Sequence, residues 1–221
     1  MTITLDSGSR VMFTGDSITS LWRPPGGDRA AYPLQVAGRW CFEHPDRPMT
    51  WLNTGYPGDT VADLEARWQA EVLDARPDVL SILVGINDVD LPAMVPGAGR
   101  APVREFAATY ERLLAPLTGT PLILVEPFLL PVEGVIEREL HLDTGPHRVR
   151  IGPDERERWR AGLDPHIEVV HELAARHGAE LLTADRLFAE LGEPDRWSDD
   201  GIHPTPAGHS ALAEAWLNLV A

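Results

Sequence analysis

Apolar and β-branched residues come in short, dense runs along this chain, at 11–14, 51–53, 79–84, 122–125 and 180–183. Runs of that length, bounded by turn residues, fit strands buried on both faces, as in a parallel sheet. Between them the apolar positions recur at helical spacing. Val61, Leu64, Trp68 and Val72 share one face, as do Trp159, Leu163, Ile167 and Val170, and Leu212, Trp216 and Leu219 repeat the pattern near the C-terminus. Strands alternating with amphipathic helices predict a doubly wound α/β sheet, covered on both faces, whose ligands sit beyond the carboxyl ends of the strands. No repeat, low-complexity tract or linker divides residues 1–221, so one domain is expected. The exception to the rhythm is 127–154, a long insertion where a strand-to-helix connection normally takes about 2–6 residues. Its Phe128, Leu129, Leu130, Val132, Val135, Ile136, Leu140 and Leu142 need an apolar surface to cover them. Its Pro131, Gly134, Gly145 and Pro146 predict a compact loop, acting as a lid over the site, an oligomer interface or a disordered segment.

Composition narrows the partners. The formal charge is -15 and all 19 basic residues are Arg, a balance that disfavours nucleic acid, anionic membranes and polyanionic substrates and suits a neutral ligand. The start, "MTITLDSGSRVMF", lacks the basic flank and long apolar run of a signal peptide, and no stretch reaches membrane-spanning length, so a cytoplasmic location is expected. The lone Cys41, in "GRWCF" at the end of a helical pattern, reads as a core residue.

Four short stretches fall after strands or just before the last helix: "GDS" at 15–17, "NTGYPGDT" at 53–60, "GIND" at 85–88 and "DDGIHPTPAGH" at 199–209. In a parallel sheet these loops converge on one edge. Each alone is an ordinary turn sequence; together they supply the parts of an acyl-transfer site. A serine hydroxyl is a poor nucleophile until an imidazole takes its proton, and the imidazole needs a carboxylate to fix its tautomer. Ser17, His203 and Asp200 can fill those places. The oxyanion that forms needs preorganised N–H donors, for which Ser17 N–H, Gly58 N–H and the Asn87 amide are candidates.

The four stretches resemble blocks I, II, III and V of the SGNH (GDSL-type) hydrolases, in order and across almost the whole chain. The resemblance implies that fold, a flavodoxin-like three-layer sandwich on a parallel five-stranded sheet. It also implies Ser17 as nucleophile, Gly58 and Asn87 as oxyanion donors, and Asp200 and His203 as the rest of the triad. "GDSITS", "GINDV", "VEPFLLP" and "DGIHPTPAGH" look most like small bacterial carbohydrate and xylan O-acetyl esterases. The chain departs from that subgroup after "GIND", where Val89, Asp90, Leu91 and Pro92 replace a Val-Trp-Arg-like stretch, and again in the insertion. Asp16 and Asp88 read as hydrogen-bonding braces for their loops. His141, Asp143 and His147 look metal-like but lack helical or hairpin spacing, so neither metal nor other cofactor is expected. His209 reads as structural, and His44, His166, His171 and His177 as surface or helix-face residues. The expected function is hydrolysis of a short acyl ester, acetyl above all, of a neutral hydroxylated small molecule or carbohydrate. The alternatives are an acyltransferase using the same triad and a non-catalytic carbohydrate-binding protein. A homo-oligomer is compatible with the insertion.

Overall fold

A computed structural model of the chain describes residues 2–20, 31–89, 102–142 and 145–221. The apolar runs become β1 (Arg10–Gly15), β2 (Thr50–Gly55), β3 (Val79–Leu83), β4 (Leu122–Val125) and, past a hairpin of β5 (Ile136–Leu142) and β6 (Gly145–Ile151), β7 (Glu180–Leu182). All five predicted strands pair in parallel in the order β2-β1-β3-β4-β7. The order reverses direction at β1 and β3, and in open α/β sheets that switch point opens a crevice at the strands' carboxyl ends.

The helices are α1 (Tyr32–Glu43), α2 (Val61–Trp68), α3 (Val103–Leu114), α4 (Pro153–His177), α5 (Ala184–Leu191), α6 (Pro194–Trp197) and α7 (Pro206–Leu217). Alternation along β1 divides them between two cores. Val11 and Phe13 face one side, packing with Val36 and Trp40 of α1, Phe188 of α5 and Leu212 and Trp216 of α7. Met12 faces the other, with Leu64 and Trp68 of α2, Phe106 and Leu113 of α3, and Val170 and Leu173 of α4. The four residues expected on one face of the second helix are all buried, although α2 gives way to a π-helical turn at Gln69–Leu73 that carries Val72. Two buried tryptophans in these cores keep a hydrogen-bond partner: Trp68 Nε1 donates to Leu113 O at 2.9 Å and Trp216 Nε1 to Ser81 Oγ at 3.1 Å.

A third apolar cluster lies toward the carboxyl edge, bringing Ile86, Val89 and Ile202 together with Leu129, Ile151, Trp159, Leu163 and Ile167. It joins the loop after β3, the segment after β4, the start of α4 and the loop before α7. At the base of the insertion Leu129 is buried in this cluster, and Phe128, Leu130 and Val132 are buried in the core that holds Phe13 and Trp216, whereas Val135 is exposed. The expected compact loop is corrected here: the insertion contains an antiparallel hairpin, with Glu137 opposite Arg150 and Glu139 opposite Arg148 in register. Strand pairing satisfies backbone groups that a loop would leave to water, and the opposite charges of Arg150 and Glu137, 3.7 Å apart across it, favour the register. The hairpin sets Leu140 opposite His147 and His141 opposite Pro146, while Asp143 lies outside the described residues.

Two further expectations change. Cys41 is exposed, because the buried face of α1 runs through Tyr32, Val36 and Trp40, and the next residue along the helix turns away from it. His166 is buried in α4, edge-on to the Phe106 ring, with Nδ1–H donating to Gly162 O at 2.9 Å. Burial lowers its pKa, the hydrogen bond opposing, so the native state holds it neutral where an unfolded chain would take up a proton. The contribution is full above about pH 6.5, the ordinary imidazole value, and declines as pH falls toward the lower native value. Urea unfolding between pH 8 and 5 should show a steeper loss of stability in the wild type than in His166→Met, and parallel curves would exclude this contribution.

Candidate active site

The strand-to-turn break at the end of β1 is built around a close approach. Gly15 has φ +146°, and a Cβ there would stand 2.0 Å from the Leu83 carbonyl oxygen, so only glycine lets β1 pass β3 at this point. Beyond it, Asp16 N–H donates to Leu83 O at 3.3 Å, Asp16 Oδ1 accepts from Ile18 N–H at 2.9 Å, and Ser20 N–H closes the turn on Asp16 O at 3.0 Å. Asp16 and Ile18 are buried and Ser17 between them is half-buried, so the turn presents its hydroxyl at the sheet edge.

The loop before α7 meets it. A bridge between Ser198 and Pro204 pinches the loop, and Ser198 Oγ accepts from Gly201 N–H at 2.8 Å. Asp200 is 1% exposed. Its Oδ1 accepts from Ile202 N–H at 2.9 Å and His203 N–H at 2.7 Å, which fixes the carboxylate plane. Its Oδ2 lies 2.8 Å from His203 Nδ1, and His203 Nε2 lies 2.9 Å from Ser17 Oγ. A carboxylate only accepts, so Nδ1 carries the imidazole proton and Nε2 presents its lone pair to the serine O–H. The segment after β4 straps this loop: Leu130 N–H donates to Gly201 O at 2.8 Å, and Gly201, at φ +85°, leaves no room for a Cβ beside Leu130 O.

The remaining two stretches knit together on the opposite side. Tyr56 N–H donates to Gly15 O at 3.0 Å and Asp59 N–H to Tyr56 O at 3.3 Å, closing a turn in which Gly58 has φ +88°. The Asn87 amide, on the short 3-10 turn Ile86–Asp88, donates one Nδ2–H to Asp59 O at 3.1 Å. An amide carries two such protons, and the second is not used by that bond. Asp88, buried, receives Val61 N–H on both carboxylate oxygens at 3.2 Å, an anion at the N-terminus of α2. Thr60 caps the same helix in a reciprocal box with Asp63.

Every site residue read from the sequence thus lies in the four loops at one edge. Ser17, His203 and Asp200 form one hydrogen-bonded relay; Gly58, Asn87 and Asp88 share the adjoining turns, and Asp16 braces the first. Asp90, Leu91 and Pro92 lie outside the described residues. Sequence reasoning missed Ser198, Leu130 and Arg67. Ser198, two residues before Asp200, carried a signal as a hydroxyl opening an Asp-Gly turn; the strap from Leu130 and the grip of Arg67 on Asp59 depend on tertiary contact alone. Burial pushes the Asp59 carboxyl above the ordinary aspartate value, against the opposing pull of Arg67. Two hollows lie elsewhere, one of about 600 Å³ between the amino-terminal strand ends, beside Thr4, Leu117 and Arg176, and one of about 560 Å³ beside Leu129, Val132 and Arg156. Neither is lined by Ser17 or His203.

Comparison with known proteins agrees with this architecture. An acetylxylan esterase of Geobacillus stearothermophilus is 31% identical over 234 residues, spanning 98% of this chain and 95% of its own. Among solved structures, a catalytic mutant of an acetylxylan esterase from that organism, with alanine in place of a serine, superimposes with a TM-score of 0.77 at 28% identity, over 99% of this chain and 95% of that one. An alpha/beta hydrolase from the metagenome of Lake Arreo, Spain, gives 0.76 at 28% identity, over 97% and 95%. The sequence profile of the GDSL-like lipase/acylhydrolase family matches residues 13–211, a span that contains every one of the four loops. With that span, the parallel sheet and the serine at the end of its first strand, the chain belongs to the GDSL-like lipase/acylhydrolase family, the SGNH hydrolases.

Proposed function

We propose that the protein is a serine esterase that removes acetyl groups from a neutral hydroxylated molecule, a carbohydrate above all, through an acyl-enzyme. The observation that carries the reading is the unbroken relay from Asp200 through His203 to Ser17, 2.8 and 2.9 Å long, beside the adjoining turns that carry Gly58 and Asn87. The acetylxylan esterase likeness and the acidic chain, which disfavours anionic partners, support the substrate class.

Ser17 Oγ attacks the acetyl carbonyl carbon while His203 Nε2 takes its proton. The buried Asp200 carboxylate stabilises the imidazolium without being protonated itself. Negative charge gathers on the former carbonyl oxygen, where Ser17 N–H, Gly58 N–H and the second Asn87 Nδ2–H receive it. Collapse of the intermediate breaks the ester C–O bond, and His203 returns the proton to the departing alcohol. Water then repeats the sequence on the acetyl-serine, giving acetate and free Ser17.

Release of acetate from acetylated xylo-oligosaccharides and of p-nitrophenol from its acetate ester, set against butyrate and octanoate esters, tests this directly. Turnover should be fastest for acetyl and should persist in EDTA. No turnover of any ester, or a preference for the octanoate, would refute it. The acyltransferase reading is distinguished by adding a sugar acceptor and following its mass, since a transferase moves the acetyl group to the acceptor in preference to water.

A further inference from the structure

We propose that Arg67 of α2 is the positioning residue for the oxyanion-binding turn, gripping residues 56–59 and through them holding the Asn87 amide in place; the inference rests on the esterase reading above. Its guanidinium donates from Nε at 3.0 Å and from Nη2 at 2.7 Å to Asp59 Oδ2. Its Cζ lies 4.5 Å from the centroid of the Tyr56 ring. One planar cation therefore holds the first and last residues of the turn that carries Gly58. The Asp59 carbonyl in turn receives the Asn87 Nδ2–H at 3.1 Å. Any shift of Asp59 displaces two of the three candidate donors, Gly58 and Asn87, together.

The turn has need of an outside restraint. Gly58 is exposed, adopts φ +88° and has no side chain with which to pack. The Arg67 and Asp59 side chains are only 17% and 16% exposed, unlike an open surface pair, whose contribution is small. An Arg suits this place better than a Lys, because the same flat group must fork onto a carboxylate and lie over a ring. Another partner of Arg67, Glu71, sits one turn along the helix at 2.7 Å, outside the turn 56–59.

Arg67→Ala should lower kcat for p-nitrophenyl acetate by about 10- to 100-fold, the range for a misplaced but intact catalytic group, with KM changed by less than about two-fold. Arg67→Lys should lose most of the same kcat. Glu71→Gln, which removes the helical ion pair and leaves the grip on the turn, should keep kcat within about two-fold of wild type. Because part of the effect runs through the Asn87 amide and part through Gly58, Arg67→Ala placed on Asn87→Ala should cost clearly less than it does on the wild type; a general structural effect would multiply in full. If Arg67→Ala does not fold, Asp59→Asn tests the same grip from the other side and should give the same fall in kcat. A folded Arg67→Ala with wild-type kcat, or losses that multiply with those of Asn87→Ala, overturns the assignment while leaving the esterase reading standing. A wild type whose activity does not depend on Ser17 overturns both.

Discussion

Ser17→Ala is expected to fold like the wild type and to lose ester hydrolysis almost completely, with kcat down by about 10⁶. The size follows from the triad acting as a unit: without the hydroxyl no acyl-enzyme forms, and the His203 base has nothing to deprotonate. The fold should survive because the turn is held by backbone and Asp16 contacts, Ile18 N–H on Asp16 Oδ1 and Ser20 N–H on Asp16 O, none of which uses the Ser17 side chain. His203→Ala should cost about as much, and the double variant little more than either. Asp200→Asn is the informative third member. Its Oδ1 can still accept from Ile202 and His203 N–H, so the loop should keep its shape. The amide nitrogen would face His203 Nδ1 as a donor and force the wrong tautomer, which costs about 10⁴ in kcat. Steady-state kinetics with p-nitrophenyl acetate, alongside thermal unfolding of each variant, checks the set. A tenth of wild-type activity in Ser17→Ala would exclude Ser17 as nucleophile.

How much of this can be read from the chain depends on which forces act locally. The strands at 11–14 and 122–125 are legible because burial on both faces writes a continuous apolar run, and Trp68 and Val72 because one buried face writes a helical period. The hairpin is not. In "IERELHL" and "GPHRVRI" the charged residues that pair across the strands look, one strand at a time, like solvated loop. Only the register of Glu137 with Arg150 makes them a ladder. Cys41 misleads for a related reason: it adjoins Trp40 in sequence, but the next residue on a helix points about 100° away, so the two do not share a face. In the candidate site, the residues proposed to react are legible because acyl transfer demands particular functional groups, and only a few loops supply them. The residues that hold those groups still, Leu130 on Gly201 and Arg67 on Asp59, act from distant or helical positions whose sequence carries no chemical demand.

Removing the Asn87 donor is expected to lower kcat by about 10²–10³ with little change in KM. The asymmetry has a physical cause. A ground-state carbonyl oxygen is a neutral acceptor already solvated by water, whereas the tetrahedral oxygen is a charge for which a preorganised N–H is worth far more, so the lost bond raises the barrier more than it weakens binding. The site geometry fits such a donor, since one Nδ2–H is spent on Asp59 O at 3.1 Å and so fixes the direction of the other. Asn87→Ala removes both bonds, whereas Asn87→Asp keeps the shape and replaces the donor with a carboxylate. That oxygen would face both the Asp59 carbonyl and the developing oxyanion with a like partial or full charge, and its loss of kcat should exceed that of the alanine variant. Measuring kcat and KM for both with p-nitrophenyl acetate separates the possibilities. A fall confined to KM would make Asn87 a residue that binds the substrate and not the transition state, and an Asn87→Asp variant as active as wild type would remove this side chain from the oxyanion site altogether.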